Sequence, residues 1–230
     1  MKLLVLIAFS IINVALFGQD KITDYTVKDI QSIRFFYKNE NKEKIGSLQD
    51  LKDWLASQKK QTLVFATNGA MFTPEYAPVG LYIENYKEIK GLNRSKGGSN
   101  FSTKPNGVFL ITESNKARIV TTESFKNNGK IKYATQSGPM LVIDGNIHPA
   151  FAQNSPNLNV RNGVGILPDG SVLFAISNEA VNFYEFAAYF KQKGCKNALY
   201  IDGAISEIYC PEKKLPQTRQ PFGVMIGVVK

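Results

Sequence analysis

A chain of 230 residues, 43% hydrophobic and 11% aromatic, is long enough for one sizeable core and short for two independent ones. Its formal charge of +9 comes from 28 lysines and arginines set against 19 acidic residues and is dispersed without a dense basic run, which argues against nucleic-acid binding. A field of that sign draws anionic ligands, phosphorylated ones included, while two cysteines and one histidine argue against a zinc cluster.

The chain opens MKLLVLIAFSIINVALFGQD, with Lys2, an apolar stretch from Leu3 to Phe17 and the small Gly18 ahead of Gln19. This is the build of a signal peptide over residues 1–18, leaving residues 19–230 as an exported domain, periplasmic or secreted. Asn13 interrupts the run, which falls short of the ~18 apolar residues a membrane span requires, and no span is expected after cleavage.

Alternating and β-branched patterns then predict strands at 33–38, 62–67, 79–84, 107–112, 117–122, 132–136, 140–144, 163–167, 171–177, 198–202, 205–209 and 222–229. Pro168-Asp169-Gly170 joins two of them as a tight hairpin turn. Two segments read as helices. In SLQDLKDWLASQKK, Ser47 and Asp50 stand at capping-box spacing before Leu48, Leu51 and Leu55 on one face. In NFYEFAAYFKQKG, Asn182 and Glu185 repeat that start, Phe183, Phe186, Ala187 and Phe190 form the stripe, and Gly194 supplies the stop. The expected fold is α+β: a large, mostly antiparallel sheet system with two main packed helices in a single domain. If residues 198–209 fold as a hairpin about Gly203-Ala204, Cys195 and Cys210 lie opposite each other, and export permits a disulfide there. The stretches 96–107 and 151–159 read as surface loops.

The chemistry gathers at strand ends. ATNGAMF (66–72), TQSGPM (135–140), VRNGVG (160–165), AISNEAVN (175–182) and YIDGAIS (200–206) each end an apolar run in a polar residue, four of them beside a glycine. Glycine permits a turn or a close backbone approach, and polar side chains are costly in a core unless they meet partners, so convergence on one site accounts for all five. Each motif alone has a plainer reading. Asn68-Gly69, Asn162-Gly163 and Asp202-Gly203 also suit ordinary turns, Gln136 a strand end, Arg161 a surface ion pair, and His148 a structural loop position.

Taken in order, these residues resemble the phosphodiester glycosidase family. Asn68-Gly69-Ala70-Met71-Phe72 is similar to its N-G-G-F-F, Pro78-Val79-Gly80 to its P-x-G, Gln136-Ser137-Gly138-Pro139 with Asp144-Gly145 to its Q-x-G-P and D-G, and Asp202-Gly203-Ala204-Ile205-Ser206 to its D-G-G-G-S. The likeness runs over residues 62–228, with Ala70, Ala204 and Ile205 standing where the family has glycines. It implies hydrolysis of a sugar-1-phosphodiester or related glycoside without a cofactor, on a small-molecule or oligosaccharide substrate carrying a sugar-phosphate. Such cleavage develops positive charge on the sugar and negative charge on the leaving phosphate. Asp202 is then the catalytic carboxylate and Arg161 the phosphate fork, with Glu179 or His148 as a second acid. Asn68, Gly69, Gln136, Asn162, Asn178, Gly203 and Ser206 line the substrate. A metal among Asp202 and Asp144 stays open. The altered glycines keep a second reading, a non-catalytic protein binding glycan or cell-wall polymer, and Ser206 with His148 a third, a serine hydrolase lacking the usual nucleophile elbow.

Overall fold

The computed structural model describes residues 21–95, 97, 99–202, 205–213, 215 and 219–230. The expected signal peptide and Gly203 lie outside these residues. The strands form three antiparallel sheets. The first runs in the order β1 (Ile22–Val27), β12 (Val172–Ser177), β11 (Asn162–Ile166), β13 (Ala198–Asp202), β9 (Met140–Ile143) and β10 (Asn146–Ile147). The second runs β14 (Ile208–Tyr209), β3 (Leu63–Asn68), β15 (Met225–Val229) and β2 (Ile33–Phe36). The third runs β5 (Lys87–Lys90), β4 (Tyr82–Glu84), β8 (Ile131–Ser137), β6 (Gly107–Thr112) and β7 (Ala117–Thr121).

The sheets bury one face each against a shared interior. Phe65 of the second sheet stacks on Tyr25 and Phe174 of the first at 4.6 and 5.1 Å, and Phe109 of the third meets both Phe174 at 6.1 Å and Phe35 at 5.8 Å. Helices α1 (Leu48–Trp54) and α2 (Phe183–Gln192) cover outer faces, and both expected capping boxes are present. Ser47 Oγ accepts from the Asp50 amide at 3.1 Å, and Asn182 Oδ1 from the Glu185 amide at 2.9 Å. Among the described residues, the α+β, mostly antiparallel, two-helix fold is the one expected.

The 198–209 hairpin does not form. β13 pairs with β11 and β9 in the first sheet, whereas β14 pairs with β3 in the second, so the chain after Asp202 crosses from one sheet to the other. Cys195 and Cys210 are both free and buried, the first under α2 and the second in the shared interior, so the expected disulfide is absent. Opposed numbering makes a pair only if both strands share a sheet.

Candidate functional site

The crossing brings three strand ends together: the C-terminal ends of β3 and β13 and the N-terminal end of β11. Asn162 lies opposite Asp202 at a break in register between β11 and β13, an irregularity of the kind that re-aims side chains. Its amide spans the two sheets. Asn162 Nδ2 donates to Thr67 Oγ1 and Asn68 Oδ1, each at 2.9 Å, and Asn162 Oδ1 accepts from the Asp202 amide at 2.9 Å and from Ser206 Oγ at 3.3 Å. Ser206 Oγ also donates to the Asp202 carbonyl at 2.8 Å. Asn68 Nδ2 donates to the Ile205 carbonyl at 3.0 Å, and Asn68 Oδ1 accepts from the Glu207 amide at 3.1 Å. Four expected site residues, Asn68, Asn162, Asp202 and Ser206, therefore share one network, with Asp202 itself 7% exposed.

The third sheet braces this point from behind. Thr135 Oγ1 donates to the Gly69 carbonyl at 2.9 Å and Ser137 Oγ to the Ile201 carbonyl at 2.7 Å. Gly69 is required by packing, since a Cβ there would sit 2.8 Å from Ile226 Cγ1. Thr67 and Glu207 complete the network, with Thr67 Oγ1 donating to the Glu207 carbonyl at 3.0 Å and the Glu207 residue buried. Neither was signalled by a glycine in the sequence. Glu207 follows Ser206 in ISEIY, a polar pair that carries no mark of burial.

Arg161 adjoins Asn162 but sends its side chain elsewhere. It is fully buried, with Nε donating to the Val181 carbonyl at 2.9 Å, Nη2 to the Asn157 carbonyl at 2.8 Å, and the guanidinium carbon 3.7 Å from the centre of the Phe183 ring. Nη1 meets the Tyr200 hydroxyl at 3.5 Å. Burial holds the Tyr200 phenol up at about 12, against the pull of Arg161. A phosphate meets this guanidinium only if the side chains covering it move.

The remaining expected residues stand apart from the network. Gln136 is saturated: its Oε1 accepts from the Leu81 and Asn93 amides at 3.0 and 2.9 Å, and its Nε2 donates to the Asn93 carbonyl at 2.7 Å and Thr122 Oγ1 at 3.1 Å. His148 is buried between the Lys104 carbonyl and the Ala150 amide, and burial lowers its pKa. Asn178 and Glu179 are exposed, the first accepting from Thr23 Oγ1 and the second paired with Lys21 at 2.5 Å. Asp144 is exposed at a turn and faces Lys196 at 3.7 Å. Among the described residues, no group of three His, Cys, Asp or Glu side chains is placed to hold a metal.

Fold and site together define an antiparallel α+β protein whose polar centre sits where strands of two sheets converge. Residues 61–229 match the family model for phosphodiester glycosidase, and the chain belongs to that family. It is 39% identical over 206 residues to the uncharacterized protein YigE of Escherichia coli (strain K12), spanning 89% of this chain and 80% of that one. It is similar in fold to the catalytic domain of zebrafish N-acetylglucosamine-1-phosphodiester alpha-N-acetylglucosaminidase auto-inhibited by its pro-peptide, with a TM-score of 0.62 and 12% identity over 90% of this chain and 82% of that one. A hypothetical protein from Synechocystis aligns with a TM-score of 0.58 at 12% identity, over 90% of this chain and 59% of that one.

Proposed function

We propose that this protein is an exported glycosidase that hydrolyses a sugar-1-phosphodiester or a related glycoside at the Asn68–Asn162–Asp202 centre. The observation that carries this reading is the Asn162 amide, which bonds residues of both sheets and fixes the backbone of Asp202 beside Ser206. In the proposed step the bond from the anomeric carbon to the phosphate oxygen breaks, its electron pair leaving on phosphate. Water oxygen bonds to that carbon and gives up one proton. The Asp202 carboxylate offsets the charge developing on the sugar, and the leaving phosphate needs little help from a second acid. Export is supported by the charged start and apolar run of residues 2–17, and no described helix is long and apolar enough to cross a membrane.

Asp202→Asn should fold with an unchanged Tm and release sugar from a sugar-1-phosphodiester at least ~100-fold more slowly, the scale of a catalytic carboxylate. Full activity in this variant would remove Asp202 from the reaction. The alternative, glycan binding without turnover, draws on Ala70 and Ile205, whose side chains occupy positions that are glycine in the family motif. Binding across a sugar-phosphate panel with no release of sugar by the unaltered protein would favour it.

A further inference from the structure

The outer face of the third sheet carries an open cavity of about 410 Å³ that shares no lining residue with the network. Its place follows from strand alternation. Across β6 and β7, Leu110 pairs with Arg118 and Val108 with Val120, and this set faces outward, while Phe109, Ile119 and Ala117 pack into the shared interior. Leu110, Val120, Phe125 and Ile131 form an apolar floor. The floor is recessed, with Leu110 6%, Phe125 7% and Ile131 5% exposed. Its walls are tied in place by the Glu113 amide, which donates to the Lys130 carbonyl at 2.9 Å, and by Thr112 Oγ1, which accepts from the Lys116 amide at 3.2 Å. Strand β8 starts at Ile131 in this floor and ends at Ser137, whose hydroxyl bonds the Ile201 carbonyl beside the network. At strand rise the two places stand roughly 20 Å apart.

Lys116, Arg118, Lys126 and Lys130 stand around this floor, with Glu113 the acid of the lining. Glu113 is taken by Lys130 at 2.9 Å. Among the described residues, Lys116, Arg118 and Lys126 form no ion pair, and all three are exposed. Like charges gathered about one hollow repel one another. Basic residues on an edge strand guard against strand-to-strand association, which accounts for Lys116 and Arg118 at β7, the edge of its sheet. It does not account for Lys126, which reaches the same cavity from the segment between β7 and β8. A shared counter-charge accounts for all three. The floor selects its class: an apolar bed under a cationic rim suits a sugar ring that lays its C–H face down and turns its acidic groups to the rim. Phe125, the aromatic residue of the lining, is too buried to stack a base, and a recessed floor lies below the reach of a flat lipid surface.

From this arrangement we infer that the outer face of the third sheet holds a separate carbohydrate site, which seats one acidic unit of an anionic glycan chain on the Leu110–Phe125–Ile131 floor within reach of Lys116, Arg118 and Lys126. The inference stands whether or not Asp202 acts in catalysis. Titration calorimetry on the full chain at low salt would compare phosphorylated dextran and oligogalacturonate with neutral dextran. A charged glycan should bind and neutral dextran should not, and the tighter of the two charged probes identifies the acidic group as phosphate or carboxylate. Lys116→Gln, Arg118→Gln and Lys126→Gln together should weaken that binding at least about tenfold, the scale of lost charge-assisted hydrogen bonds, with no fall in Tm. Taking the same charge from exposed positions outside the cavity, by Lys42→Gln, Lys87→Gln and Lys90→Gln, should change the affinity less than about twofold. Equal losses in the two triple variants would show that only the dispersed positive field attracts the glycan, and the site would fall. Binding of neither charged glycan would overturn it as well. So would equally tight binding of single-stranded DNA, or of equimolar phosphatidylglycerol and phosphatidylcholine vesicles, lost in the same cavity variant.

Discussion

Asn162 uses both ends of its amide within the protein, and that commitment separates the residues of the two-sheet network from polar residues bonded elsewhere. Asn68 and Asp202 were legible because each ends an apolar strand beside glycine, and Asn162 because it opens one there, where a buried polar group must find partners. The same logic picked out Gln136, while histidine chemistry picked out His148, and both are bonded within the protein away from this network. His148 Nδ1 accepts from the Ala150 amide at 3.1 Å and Nε2 bonds the Lys104 carbonyl at 3.0 Å, a pairing that suits the neutral ring. Burial lowers its pKa below the ordinary 6.5, opposed in part by the Lys104 carbonyl. The folded state then binds fewer protons than the unfolded one, so this stabilisation is complete above the unfolded value and is lost as pH falls through the folded one. Tm should therefore drop between about pH 7 and pH 5, and His148→Gln should flatten that slope. An unchanged slope in the variant would show that the ring titrates alike in both states. A shifted activity profile would instead return His148 to the chemistry.

At the scale of elements, helix starts were readable because capping chemistry is local, whereas the fate of β14 was not, because sheet membership is set by distant chain. Strand β1 escaped notice for a related reason: ITDYTV is half-buried at the edge of its sheet, with Asp24 held below the usual carboxylate range. Burial alone would raise Asp24, but the Tyr189 hydroxyl and Lys193 outweigh it, tying β1 to α2. The seat of α2 on the sheet depends on Gly165, where a Cβ would meet Cys195 Sγ at 2.6 Å and Phe190 Cδ1 at 2.7 Å. Both neighbours are fully packed and cannot yield cheaply. Gly165→Ala should cost about 1–3 kcal/mol in denaturant unfolding. Gly91→Ala, where the nearest atom would lie 3.5 Å away, should stay within ~0.5 kcal/mol. Equal effects would mean that α2 shifts freely over the sheet.

For the whole molecule, the question is whether three sheets unfold as one body or as separate layers. Their contacts favour one body. Tyr25, Phe65, Phe174, Phe109 and Phe35 form an unbroken series of ring contacts through all three sheets, each pair with centroids between 4.6 and 6.1 Å. The site adds polar ties across the same boundaries, through Asn162 between the first and second sheets and through Thr135 and Ser137 from the third. No layer can leave without exposing the apolar faces of the other two. Calorimetry should thus give a single transition with a van't Hoff to calorimetric enthalpy ratio near ~1. Phe65, at the junction of the ring series and fully buried, is the sharpest probe. Phe65→Ala should destabilise by about 3–5 kcal/mol, lowering Tm by on the order of 10 °C for a chain of this size, while the transition stays single. A second peak, or one sheet melting early in the variant, would show that the layers are energetically separable, and the strand ends that meet at Asn162 would then be held by the site's own hydrogen bonds rather than by the shared interior.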